Sequence, residues 1–226
     1  MENEVIDHAT RLFAERGFAG TSLQDVAESM GLKRPALYYY FKSKDELLDR
    51  LIAEGVSGPA HDFETIADQS DLSPAERLHA IVRHNVTWVL THTDRFQLLV
   101  KSESELSPAS REKYRASSRA ALDTVATVIE QGIEAGQFRP VKARVAALGI
   151  FGTCNWAAWW YDPDGLDSVE SVADQLADQA VAGVQRVERT ADAALSPSNA
   201  LSLLRQELEL LADALDRDRT PLGRSS

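Results

Sequence analysis

A short basic and aromatic segment, residues 33–44, carries the side chains best suited to binding an anion. It holds four cations and no acid, although the 226-residue chain has a formal net charge of -11. The cations are Lys33, Arg34, Lys42 and Lys44, and they flank three consecutive tyrosines at residues 38–40. A compact cationic helix on an acidic protein needs an anionic partner, and the phosphate backbone of duplex DNA meets that need.

Two short helical patterns position this segment. Thr21 or Ser22 is the candidate N-cap of the first, since each begins a capping box, and Gly31 ends it in the left-handed geometry that favours glycine. The second runs from about Pro35 to Phe41, because a proline in the first helical turn leaves no hydrogen bond unmade. Two short helices joined by a tight glycine turn predict a helix-turn-helix, whose second helix enters the major groove.

The second helix must expose part of its aromatic surface. If Leu37 and Phe41 face the core at a spacing of four, Ala36, Tyr39 and Tyr40 face outward. Successive residues on a helix point about 100° apart, so three tyrosines in a row cannot share one buried stripe. Core aromatics beside a solvated lysine face are the alternative interpretation, but an exposed tyrosine among cations favours recognition of DNA.

These residues resemble the tetracycline-repressor (TetR) family of transcriptional regulators. The resemblance covers about residues 4–50. Its matching residues are Gly17-Phe18, Thr21-Ser22, Val26-Ala27, Gly31-Leu32, Pro35-Ala36-Leu37-Tyr38-Tyr39-Tyr40-Phe41, Lys44 and Leu47-Leu48. One position departs from the pattern. Many members have Ser or Thr after the Gly-Leu pair, where this chain has Lys33, and the recognition helix thereby loses a hydroxyl cap.

The resemblance implies an all-α protein with two parts. Residues 1–47 would form a three-helix, helix-turn-helix DNA-binding domain, and residues 48–226 a helical domain for ligand binding and dimerisation. A homodimer would bind a palindromic operator as a repressor and be released by a small effector. The implied DNA-binding residues, of which Tyr38 and Lys44 would grip phosphates, are Thr21, Ser22, Lys33, Arg34, Ala36, Tyr38, Tyr39, Tyr40 and Lys44.

Helical spacing of apolar residues continues beyond Ser43, without strand-like alternation. It predicts one long helix from Ser43 toward Ala67. The stretch from Val145 to Tyr161 holds 17 residues and no charge. A membrane span needs about 20, so this stretch predicts a buried helix rather than a span.

The uncharged helix is also the candidate for dimerisation, since its two glycines permit close approach of another helix. In the family it resembles, the corresponding helix and the next one pack against the same pair of a second subunit. The residues expected in that interface are Gly149, Gly152, Leu176, Ala180 and Val184. The leucine repeat from Leu201 to Leu215 predicts an extra C-terminal helix, about residues 198–217, that reinforces the interface.

Aromatic residues suggest an apolar effector. The candidate ligand-binding residues are Trp88, Phe96, Arg119, Trp156, Trp159 and Trp160, with plain core packing as the alternative for the tryptophans. The run from Asn155 to Gly165 looks like that of relatives controlling fatty-acid or steroid breakdown, some of which sense acyl-CoA thioesters. The expected effector is therefore an acyl-CoA or steroid-type thioester. Two basic clusters are candidates for its phosphates, with a solvated basic face as the alternative for each: Arg139, Lys142 and Arg144, or Arg111, Lys113, Arg115 and Arg119.

Patterns typical of catalysis and metal binding are missing from the sequence. It lacks H-E-x-x-H, C-x-x-C, G-x-S-x-G and a glycine-rich phosphate loop. The single cysteine, Cys154, suits a reducing cytoplasm, and no secretory signal opens the chain. We expect a cytoplasmic regulator that is not an enzyme and uses no metal or cofactor. An effector-independent or activating regulator is the alternative, and an enzyme or small-molecule-binding protein with an incidental helix-turn-helix is a remote one.

Overall fold

The structure, a computed structural model, describes residues 2–18 and 20–186 together with residues 201, 204, 205 and 208. In those residues the chain forms ten α-helices, one π-helical turn and one 3-10 turn, which confirms the predicted all-α class. The predicted C-terminal helix, residues 198–217, and most of its leucine repeat lie outside the described residues.

Four helices form an N-terminal unit, which we call the head. They are α1 (Glu2–Arg16), α2 (Leu23–Ser29), α3 (Arg34–Tyr40) and α4 (Lys44–Ile52). Their buried apolar side chains form one cluster, the head core, which extends past residue 47 through Leu48, Leu51 and Ile52. The head core also takes Leu98 and Leu99 from a later helix, so the head is anchored to the rest of the chain.

Local signals fix the ends of the short head helices. The Ser22 hydroxyl accepts a hydrogen bond from the Asp25 amide at 3.2 Å, and the Asp25 carboxylate accepts one from the Ser22 amide at 2.7 Å. This capping box begins α2, and the hydrogen bonds from Ser22 lower the pKa of Asp25. Gly31 then reverses the chain with a φ of 66°, which side chains larger than glycine rarely adopt.

The predicted helix from Ser43 toward Ala67 is helical throughout, but a π-helical segment before Pro59 divides it. The path divides into α4, a π-helical turn (Ala53–Ser57) and α5 (Gly58–Ala67). Proline has no N–H to donate to the carbonyl four residues earlier, that of Gly55, and its ring crowds that carbonyl. The backbone widens instead, and the Gly58 amide donates to the carbonyl of Ala53, five residues back. We call residues 53–57 the π turn.

The remaining helices form the body around a second buried cluster. They are α5, α6 (Pro74–Thr91), α7 (Thr93–Ser102), α8 (Pro108–Glu134), α9 (Ala143–Trp160) and α10 (Val169–Val184). Helix α6 runs through the middle and contacts α5, α8, α9 and α10. Gly132 in α8 lies directly against the ring of Phe138, so the α8–α9 connection folds back where a side chain would not fit. No helix in the described part of the chain is long and apolar enough to cross a membrane.

Candidate DNA-binding and effector sites

The recognition helix α3 presents the predicted aromatic and basic surface. Leu37 and Phe41 are buried, as the spacing predicted, and Tyr39 is 84% exposed. Lys33, Ala36 and Tyr38 are exposed as well. Lys33 is the N-cap residue but makes no side-chain capping bond, the loss expected from its departure from Ser or Thr. Arg34 is the first residue of the helix.

Two residues assigned to this surface lie elsewhere. Thr21 is buried, and its hydroxyl donates to the Gly17 carbonyl at 3.0 Å, so its side chain holds the α1–α2 connection instead of facing DNA. Tyr40 is half-buried against the head core and meets the ring of Tyr39 edge-on, with 5.3 Å between the centroids. The prediction that Tyr40 faces fully outward is therefore wrong, because Tyr40 supports Tyr39 from behind.

Lys44 has an internal role that its sequence position did not reveal. Its ammonium donates to the carbonyl oxygens of Phe18 at 2.5 Å and Thr21 at 3.0 Å. The same nitrogen lies 4.3 Å from the centroid of the Phe18 ring, a cation–π contact. Lys44 thus clamps the connection between α1 and α2 to the start of α4, and it keeps one N–H for another acceptor.

A cavity of about 470 Å³ lies in the body. That volume falls within the usual range for small-molecule sites, about 300–1,000 Å³. Its walls come from α5 to α9 and from the π turn, and they are mainly apolar. The aromatic and aliphatic lining residues are Val56, Phe63, Trp88, Val89, Phe96, Leu122, Leu148 and Phe151. Trp88 and Phe96, two of the residues predicted to contact a ligand, line this cavity.

Apart from Glu103, the polar lining of the cavity falls into two groups. Tyr114, Arg115, Ser118 and Arg119 follow one another on α8, and the two arginine side chains are 55% and 54% exposed, which places them at the mouth. Burial, with the nearby charge of Glu103, raises the pKa of Tyr114, so its phenol stays a hydrogen-bond donor at neutral pH. The second group is an amide pair, Asn85 and Asn155.

The amide pair was missed by sequence reasoning, although a signal was present. Asn85 is a polar residue in the apolar stripe of α6, between Ile81 and Val89. It is only 8% exposed, so the stripe buries it with its apolar neighbours.

Of the two basic clusters proposed for the phosphates, only one lies at the cavity. Arg115 and Arg119 line it, whereas Arg111 in the same cluster bonds to backbone carbonyls of residues 103–106. In the other cluster, Arg139 donates to the carbonyl of Gly183 at 2.8 Å and Arg144 pairs with Asp123.

The three tryptophans at the end of α9 do not line the cavity, which corrects their predicted role. Trp156 is 63% and Trp160 50% exposed, and Trp156 stacks on Trp159 at 5.6 Å. Trp159 reaches only the outer edge of Phe96, with 5.8 Å between the rings. Periodicity could not separate a cavity wall from an outer face, because both are apolar.

The outer face of α9 is largely apolar. Its exposed residues are Val145, Leu148, Gly149, Gly152, Thr153, Trp156, Trp159 and Trp160, of which Leu148 also lines the cavity. A Cβ atom at Gly149 or Gly152 would meet nothing within 4 Å, so both glycines are open patches on this face. Leu176 and Val184 are largely buried, yet they line an open groove between α9 and α10 together with Gly149 and Ala180, so four of the five residues predicted for the interface lie together there.

A helix-turn-helix head, an exposed basic recognition helix and a helical body with an apolar cavity define a DNA-binding regulatory protein. The family profile of bacterial regulatory proteins of the tetR family matches residues 5–51, and the tetracyclin repressor-like C-terminal domain matches residues 71–184. The chain belongs to the TetR family of transcriptional regulators.

Individual relatives are similar over most of the chain. The transcriptional repressor KstR2 of Mycobacterium tuberculosis (strain H37Rv) is 27% identical over 191 residues, which cover 81% of this chain and 92% of KstR2. The structure of PfmR from Thermus thermophilus has 28% identity and a TM-score of 0.71, covering 80% of this chain and 99% of PfmR. AibR, solved in complex with isovaleryl coenzyme A and operator DNA, has 26% identity and a TM-score of 0.67, covering 81% and 97%.

The clamp formed by Lys44 predicts a loss of head stability. Lys44→Met removes a charged donor from two carbonyls, and hydrogen bonds to charged groups contribute about 1.5–3 kcal/mol. We expect urea denaturation to show a loss in that range, with little change for Lys42→Met, which removes an exposed cation nearby. Equal stability of the two variants would contradict the clamp. In DNA titrations of Lys44→Met, a plot of log K against log salt concentration that is shallower by about 0.9 would show that Lys44 also neutralises a phosphate.

Proposed function

We propose that this protein is a homodimeric repressor that binds a palindromic operator and is released when an acyl-CoA thioester fills the cavity in its body. One observation carries the proposal: the π turn lines the cavity and is covalently continuous with α4 of the DNA-binding head. The proposal has three parts, which are the dimer, the effector and the path between the cavity and the head.

Dimerisation follows from the exposed apolar face of α9. A contiguous row of Val145, Leu148, Trp156 and Trp160 is costly to leave in water, since each apolar Å² contributes about 25 cal/mol when buried. In a two-fold dimer the same face contacts its own copy, and small residues at the centre allow the helices to approach closely. Recognition of an operator through its major groove also requires two heads, because a recognition helix of 7 residues contacts few bases.

The chemistry of the cavity supports an anionic effector with an apolar end. Phe63, Trp88 and Phe151 surround a hydrocarbon-sized space, and Arg115 and Arg119 stand at its mouth. Arg115 pairs with Glu103 and Arg119 with Glu112, so a phosphate group competes with these carboxylates for the two guanidinium groups. Each guanidinium has five N–H donors, which leaves several for a phosphate. AibR, similar in fold and length, was solved with isovaleryl coenzyme A. An acyl group inside the cavity and coenzyme A phosphates on the arginines satisfy both regions.

The π turn connects cavity occupancy with the position of the head. Val56 lines the cavity and also packs against the head core. Gly55 lies so close to Leu99 of the head core and to Trp88 of the cavity that a Cβ atom would overlap Leu99 and approach Trp88 to 3.3 Å. A ligand that displaces Trp88 therefore also displaces the turn. The effector shifts the heads only by its difference in affinity between the two arrangements.

Replacing both exposed glycines on α9 tests the dimer. Gly149→Leu with Gly152→Leu forces the paired helices apart, and overpacking typically costs about 1–3 kcal/mol. We expect sedimentation to show monomers at low micromolar concentration, and operator binding to be lost, because a monomer cannot span half-sites about 34 Å apart. Thr65→Leu, which adds the same side chain at an exposed position of α5, is the control and should stay dimeric. If the double variant stays dimeric and binds operator, the interface lies on another face.

Titration with isovaleryl-CoA tests the effector, using a duplex obtained by binding-site selection from random sequence. We expect the thioester to release the duplex, while isovalerate and free coenzyme A do so only at much higher concentration. Arg115→Ala with Arg119→Ala should weaken thioester binding about tenfold, equivalent to about 1.4 kcal/mol, whereas Lys142→Ala should not. If Lys142→Ala weakens binding and the double variant does not, the phosphates lie on the other basic cluster.

Adding one methyl to the π turn tests the coupling. Gly55→Ala drives the turn away from Leu99, so we expect at least about tenfold weaker operator binding without any effector. Combining it with Leu99→Val makes room for the methyl and should restore binding. Gly58→Ala is the matched control, since its Cβ atom meets only the Ala53 carbonyl at an ordinary 3.5 Å. Wild-type binding and wild-type release by Gly55→Ala would refute transmission through the turn.

A further inference from the structure

An asparagine pair stands among the aromatic walls of the cavity. Asn85 of α6 and Asn155 of α9 line the same space as Phe63, Trp88 and Phe151. Asn85 is 8% exposed and Asn155 is half-buried, whereas the arginines at the mouth are more than half exposed, so the pair lies deeper in the site than the arginines. Burying an amide costs free energy unless its hydrogen bonds are made.

The two amides do not satisfy each other. The Asn85 Nδ2 donates to the Asn155 Oδ1 at 3.4 Å, longer than the usual 2.7–3.2 Å. Each amide has two donor hydrogens and an oxygen with two lone pairs, so one long bond leaves most of their capacity unused. Turning either amide by 180° exchanges a donor for an acceptor and leaves that spare capacity unchanged. The pair can therefore bind both to a ligand oxygen and to each other.

Of the remaining polar groups of the cavity, Glu103 pairs with Arg115 at 3.2 Å, and the others suit the head of a thioester. Tyr114 and Ser118 lie one turn apart on α8, directly beside Arg115 and Arg119. They are the groups best placed to meet the thioester carbonyl, because that carbonyl lies between the coenzyme A phosphates and the acyl group. The asparagine pair, on α6 and α9, is then left for the acyl group itself.

We propose that Asn85 and Asn155 recognise a ketone or hydroxyl oxygen on the acyl group, so that the preferred effector is an oxygenated acyl-CoA rather than a plain hydrocarbon thioester. This inference rests on the proposed acyl-CoA response. A site that hydrogen-bonds a ligand oxygen rejects the analogue that lacks it, because the buried amides are then left unpaired. The aromatic walls supply affinity, and the amide pair supplies selectivity.

The test compares cyclohexanecarbonyl-CoA with its 4-oxo analogue by calorimetric titration of the full-length protein. We expect the ketone to bind about tenfold or more tightly. In Asn85→Leu with Asn155→Leu the preference should disappear, with the hydrocarbon thioester binding as well as the ketone. Ser118→Ala is the matched control: it should weaken both ligands equally and keep the preference. If the double leucine variant fails to fold, Asn155→Ala, at a half-buried position, should reduce the preference by itself.

The possible outcomes separate this inference from the function on which it rests. If neither thioester binds the wild type, the acyl-CoA response itself is wrong. If both bind equally well, the response stands and recognition of an acyl oxygen is refuted. If the ketone preference survives loss of both amides, other residues recognise the oxygen and the assignment to Asn85 and Asn155 falls.

Discussion

Pro59 stands within an almost continuous helical path from the head into the body, and the connection between the two parts depends on it. Without a hydrogen bond from residue 59, the chain widens into the π turn before α5 begins. Ile52, just before the turn, is buried in the head core, and Phe63, just after it, is buried in the body core. The turn is thus fixed to the head core at one end and to the body core at the other, so we expect a displacement of one end to displace the other.

Charge and packing hold the turn from the side. Arg95 pairs with Asp7 of α1 at 2.6 Å and with Glu54 of the π turn at 3.2 Å, so one side chain joins α1, the turn and α7. The Ser57 hydroxyl meets that of Ser117 on α8 at 2.8 Å. Arg95 is 16% and Glu54 26% exposed, so solvent screens this pair less than a fully exposed one. The close packing of Gly55 against Leu99 and Trp88 adds a second constraint on the position of the turn.

Short-range signals made the head predictable from sequence, whereas the body needed tertiary information. The capping box at Ser22 and the left-handed glycine at Gly31 act within four residues, and the helices begin and end where these signals place them. The inward role of Lys44 depends on carbonyls more than 20 residues away, which no local pattern encodes. An apolar stripe also cannot tell a core from an interface. For that reason the exposed position of Trp156, outside the cavity, was not predicted.

Hydrogen–deuterium exchange across residues 51–60, with and without isovaleryl-CoA, tests the central claim most directly. Amide exchange depends on the opening of helical hydrogen bonds, so a rearrangement of the π turn changes the exchange rate of its own amides. We expect ligand binding to change amide exchange in the π turn and in the cavity walls. Residues 172–180 of α10 serve as the reference, where exchange should stay the same. Protection of the cavity walls and release of DNA, with exchange in the turn unchanged, would contradict it.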